Sequence, residues 1–86
     1  MDLLKSAMDA FQIPQDTATR YSSLQIFGNH QVKLENYTRM IDYSPNRLLL
    51  QCKTCQIEIC GKELQILRYS SQELLLDGVI QKVMFL

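Results

Sequence analysis

The chain has no tryptophan, one histidine, three glycines, two prolines and no surplus of either charge, with nine Lys and Arg against nine Asp and Glu. Each scarcity excludes something. Zero net charge argues against a dedicated nucleic-acid binder, which needs a basic excess to neutralise phosphates, and against a polybasic membrane-surface module. Three widely spaced glycines leave no phosphate-cradling loop of the G-x-x-x-x-G-K type. No apolar run approaches the roughly 18 residues of a spanning helix; the longest are of the kind Leu48-Leu49-Leu50 and Val83-Met84-Phe85-Leu86. The start, Met1-Asp2-Leu3-Leu4-Lys5-Ser6, lacks the basic and apolar segments of a signal peptide. Three cysteines would leave one unpaired in a secreted domain. A cytoplasmic protein is the expectation.

What is present is apolar: 47% of 86 residues, too much for a disordered chain and enough for one small domain with a thin core. Leu3, Leu4, Ala7, Met8 and Phe11 recur at helical spacing, which predicts an amphipathic helix over 1–13, capped by Asp2 and stopped at Pro14. Residues 14–23 are polar and read as a connecting loop to a single β domain over 24–86.

From Leu24 the apolar period becomes two. Leu24-Gln-Ile26-Phe-Gly28, Ile41-Asp-Tyr43-Ser-Pro45, Ile57-Glu-Ile59-Cys-Gly61 and Leu74-Leu-Leu76-Asp-Gly78 share one pattern: apolar, any, apolar, any, then a turn residue. A second short strand follows each turn: Val32–Leu34, Leu48–Leu50, Leu64–Ile66 and Val79–Leu86. The expected fold is all-β, a small antiparallel sandwich or roll of about eight short strands in four hairpin repeats. A short β-solenoid is the alternative. Gly28-Asn29 and Asp77-Gly78 are hairpin-type dipeptides and favour the first.

Glu35-Asn36-Tyr37-Thr38-Arg39-Met40-Ile41-Asp42-Tyr43-Ser44 resembles the central signature of the YabP/YqfC family of sporulation proteins. Pro14-Gln15-Asp16, Ile26-Phe27-Gly28-Asn29, the stretch Ile57 to Ile66 with Gly61, and Gly78 to Phe85 resemble its flanks in the same order. Arg39 departs from it, standing where the family commonly carries glycine. The resemblance implies a non-enzymatic cytoplasmic protein of an endospore-forming bacterium. It implies action on the mother-cell side, in assembling the layers around the forespore, beside a membrane-protein partner in some members.

No cofactor or catalytic site is expected. Cys52, Cys55 and Cys60 form C-x2-C-x4-C, short of the four ligands of structural zinc; they read as buried or free thiols, with a regulatory disulfide a lesser reading. His30 reads as a hairpin-tip histidine, and Glu35 and Asp42 as polar-out strand residues. Tyr37, Tyr43 and Tyr69 interleaved with Lys33, Arg39, Arg47 and Arg68 raise a second function, a small β-barrel binding single-stranded nucleic acid. Acidic Glu35, Asp42 and Glu73 interrupt that stretch. The C-terminal strand is apolar on both sides, with Val79, Val83 and Phe85 on one and Ile80, Met84 and Leu86 on the other. Such a strand is either covered twice, here by the first helix, or recruits another chain. Leu3, Leu4, Phe11, Val83, Met84, Phe85 and Leu86 are therefore the candidate contacts for self-association or for another sporulation protein.

Overall fold

The computed structural model describes residues 21–86. The expected helix over 1–13, with Leu3, Leu4 and Phe11, lies outside the described residues. Six strands follow in order: β1 (Ser23–Phe27), β2 (Gln31–Glu35), β3 (Arg39–Ser44), β4 (Arg47–Gln51), β5 (Gln56–Tyr69) and β6 (Glu73–Phe85). They form one antiparallel sheet in the order β1-β2-β6-β5-β4-β3. The all-β, antiparallel expectation holds. The count of eight strands does not, and the four hairpin repeats do not either.

The difference lies at two glycines. Reversals do occur after Phe27 and after Ser44, at Gly28-Asn29-His30 and Pro45-Asn46. Gly61 and Gly78 reverse nothing; they sit inside β5 and β6, which are 14 and 13 residues long. The remaining reversals fall at Lys53-Thr54 and Ser70-Ser71-Gln72, where the sequence has neither glycine nor proline. At the latter, Ser70 Oγ accepts the backbone N–H of Glu73 at 3.0 Å and Ser70 N–H donates to Glu73 O at 2.8 Å. A serine side chain thus does the closing that the glycines would otherwise have done.

Gly61 and Gly78 instead bend the long hairpin. A straight strand of 14 residues would run about 46 Å at roughly 3.3 Å per residue. Yet only residues 36–38 join the end of β2, which pairs beside the β5–β6 tip, to the start of β3, which pairs beside the hairpin's open end. Four residue steps reach at most about 14 Å, so the hairpin has to double back. The ladder between β5 and β6 shifts register at Cys60/Gly61, Lys62/Gln65 and Ile66/Arg68. Glu63 adopts φ 53 and Gly78 φ 140. A Cβ at position 61 would run into the backbone carbonyl of Val79, and one at 78 would lie 2.7 Å from the carbonyl of Glu63. The bend therefore needs backbone contact that only glycine permits.

Doubling back turns the apolar faces of the two halves into one core. Val32 pairs with Leu76 and Leu34 with Leu74 in the first half; Leu48 pairs with Ile59 and Leu50 with Ile57 in the second. These eight side chains are almost wholly buried and join Tyr37, Cys52 and Leu64 in a single cluster. Each full burial contributes roughly 1.5–3 kcal/mol. Alternation of period two aims these residues inward, as the sequence pattern predicts.

Candidate interaction surface

The residues of the Glu35–Ser44 signature hold this fold together. Glu35 ends β2 opposite Glu73, and the two like charges are each offset, by Lys33 at 3.9 Å and by Arg68 at 3.1 Å. Asn36 takes the left-handed φ of 63, which asparagine tolerates better than most residues. Its backbone N–H donates to Gln72 O at 2.8 Å, its side-chain amide donates to Tyr21 O at 3.0 Å, and its carbonyl accepts from Ser22 Oγ at 2.9 Å. Tyr37 is buried, stacks on Tyr69 and donates its hydroxyl to the carbonyl of Ser70. Burial, and then Tyr69, pushes the pKa of that hydroxyl up, so it stays a donor. Tyr43 donates from its hydroxyl to Leu64 O at 2.9 Å, pinning β3 to the bend. The register slips between Met40 and Asp42, which makes Ile41 the bulged residue. Arg39 itself pairs regularly with Gln51; the irregularity lies two positions after the expected glycine.

Groups with possible chemistry are dispersed. Among the described residues no three His, Cys, Asp or Glu side chains converge. His30 is exposed, with Nδ1 3.3 Å from the carbonyl of Gly78. Cys52 is buried, Cys55 and Cys60 are half-buried, and all three are free thiols. Arg47 reaches Glu58 at 2.5 Å and Asp42 at 3.3 Å; the bond to Arg47 holds the Glu58 carboxyl below its usual range. Of the tyrosines and basic residues that suggest a base-stacking platform, Tyr37 is inside, while Tyr69, which stacks on it, and Tyr43 are exposed; Arg47 and Arg68 are in ion pairs and Arg39 is exposed. Among the described residues no helix is long and apolar enough to cross a membrane.

Among the described residues, the end of β6 stands open, as do the outer edges of β1 and β3. The ladder with β2 stops at Gln31–Asp77, and the last bond from that side runs from Ile80 N–H to Asn29 O at 2.7 Å. Leu86 and Gln56 exchange both backbone bonds, at 3.1 and 2.9 Å. By alternation, the backbone groups of Val83 and Phe85 then point away from β5. Among the described residues no strand pairs with that edge. The expected contact set divides here. Val83 and Ile80 both pack against the core, so the register shift between Ile80 and Lys82, which leaves Gln81 unmatched, overturns the expectation that they face opposite sides. Met84 is half-buried, opposite Glu58. Phe85 is 63% and Leu86 56% exposed. Ile26, Phe27 and Leu67 are also exposed, although the period-two pattern treats Ile26 as an inward residue; a position on β1, at the sheet's edge, leaves it half uncovered.

The YabP family model matches residues 18–86. Over 76 residues, the chain is 29% identical to an uncharacterised protein, YqfC, of Bacillus subtilis (strain 168), covering 88% of this chain and 82% of that one. No solved structure matches it. With four-fifths of its residues inside that match, the chain belongs to the YabP family.

Proposed function

We propose that this YabP-family chain is a non-enzymatic adaptor of sporulation in an endospore-forming bacterium. It acts in the mother-cell cytoplasm, at the forespore surface, in the assembly of coat and cortex layers. It works by contact: through self-association, or by adding its open sheet edge to another sporulation protein, a membrane protein of the forespore surface included. One observation carries this reading: the β6 edge beyond Ile80, which no strand among the described residues pairs, beside the exposed Phe85 and Leu86. An edge of this kind donates and accepts main-chain hydrogen bonds while neighbouring apolar side chains supply affinity. The signature residues, for their part, are occupied in holding the sheet.

The test is a fluorescently tagged copy followed through sporulation. The expected result is accumulation around the forespore, lost in a Phe85→Glu/Leu86→Glu double variant that still folds. Diffuse fluorescence of the unaltered protein at every stage would overturn the proposal.

A further inference from the structure

The β4–β5 reversal holds a pair of cysteines that the adaptor role does not use. Gln51 and Gln56 are the last register pair of the two strands, and Cys52 and Cys55 are the next positions inward. The backbone N–H of Cys52 donates to Cys55 O at 2.8 Å, a single bond that sets the two residues opposite each other across Lys53-Thr54. The Gln51 side-chain amide also donates to both carbonyls, at 2.7 Å to Cys52 and 3.4 Å to Cys55, and so braces the tip. Side chains of directly opposed residues leave the same face, with Cα atoms about 4.5–5.5 Å apart, inside the range of roughly 4.4–6.8 Å spanned by disulfides. Cys60 belongs to another part of the sheet, opposite Arg47 and Lys82.

We propose that Cys52 and Cys55 form a reversible, thiol-exchanging site, which closes to an intramolecular disulfide when it meets a small-molecule disulfide. The order of events follows from exposure. Cys55 is half-buried, whereas Cys52 is 2% exposed. The Cys55 thiolate attacks one sulfur of the small disulfide, forming a mixed disulfide and releasing one thiol. Cys52 then gives up its proton, attacks Cys55 Sγ and releases the second thiol. Two protein thiols are oxidised, one disulfide is reduced, and a reducing thiol reverses the exchange. Burial pushes the Cys52 thiol up, against the pull of the Ser22 hydroxyl; this suits the residue that waits to resolve rather than the one that attacks first. Cys52 belongs to the core cluster, and Ser22 stands beside β1. The site therefore lies where the edge of the first half meets the second.

The experiment uses the full chain in glutathione buffers of graded ratio, quenched with an alkylating agent and read by intact mass and peptide mapping. The expected product has lost two protons and two alkylation sites and carries a Cys52–Cys55 crosslink, which dithiothreitol reverses. Cys60→Ser should behave identically. Cys52→Ser should stop at a glutathione adduct on Cys55, and Cys55→Ser should lose the fast reaction. An adduct on Cys55 that persists in the unaltered chain, a crosslink that involves Cys60, or three thiols still free in oxidised glutathione would each overturn the proposal. Far-ultraviolet circular dichroism of each variant separates loss of the site from loss of the fold.

Discussion

Tyr37 lies against Tyr69 with ring centroids 6.1 Å apart and planes 21° from parallel, and its hydroxyl donates to the carbonyl of Ser70. Through this stack the short connection between β2 and β3 grips the tip of the long hairpin, at the Ser70-Ser71-Gln72 reversal. Removing only the hydroxyl, in Tyr37→Phe, is expected to destabilise the fold by about 1 kcal/mol. Removing the ring, in Tyr37→Ala, should cost about 3–5 kcal/mol. Urea denaturation followed by circular dichroism measures both. Equal effects would mean that the ring contributes nothing beyond its hydroxyl.

The glycines separate by what surrounds them. Gly28 has φ +58 but open space where a Cβ would go, so Gly28→Ala should cost only about 1 kcal/mol of left-handed strain. Gly61→Ala drives a methyl group into the Val79 carbonyl, which is backbone and cannot rotate away. That substitution should cost about 3 kcal/mol or more. Thermal melts of the two variants, side by side, test whether the bend or the turn is the more demanding site.

Glu58 gives the fold an acid limb. Its carboxyl is depressed by the bond to Arg47. The stability it contributes is therefore fully present above the ordinary carboxylate range and is lost as pH falls through the depressed folded value. Glu58→Gln should flatten the decline in stability between neutral pH and strong acid while leaving the slope above pH 7 unchanged. Denaturation midpoints across a pH series provide the comparison.

At the open edge, Val83 packs against the core and Leu86 closes the ladder with Gln56. Deleting residues 83–86 would confuse folding with assembly. Substitution is cleaner. Phe85→Ser alters a largely exposed side chain, so stability should change by less than about 1 kcal/mol, whereas association with a partner or a second copy should weaken at least tenfold. Light scattering, together with co-purification from sporulating cells, reads the second effect.

Much of this was legible in the sequence, for a physical reason. Period-two alternation reports burial directly, so Val32, Leu34, Leu48, Leu50, Ile57, Ile59, Leu74 and Leu76 could be read as inward residues, and so could the turns at Gly28 and Pro45. Gly61 and Gly78 were misleading because composition does not distinguish a glycine that reverses the chain from one that lets two backbones touch. Asp77-Gly78 is a hairpin-type dipeptide, yet the strand continues through it, with Gly78 at φ 140. The true reversals at Lys53-Thr54 and Ser70-Ser71-Gln72 were hidden by their ordinary residues. The edge was half legible: an excess of apolar residues at the C-terminal strand showed, but which of them the core absorbs depends on a one-residue register shift.

The bent hairpin also dictates a schedule. β6 follows every other strand in the chain, yet it lies between β2 and β5 in the sheet. On a ribosome, β1–β2 and β3–β4–β5 emerge as two pieces joined through residues 36–38 but not by strand pairing, each exposing leucines meant for the core. They become one sheet when β6 arrives and slots between them. Until then the newborn chain presents two strand edges seeking a partner, and any neighbour able to offer a strand competes with the protein's own.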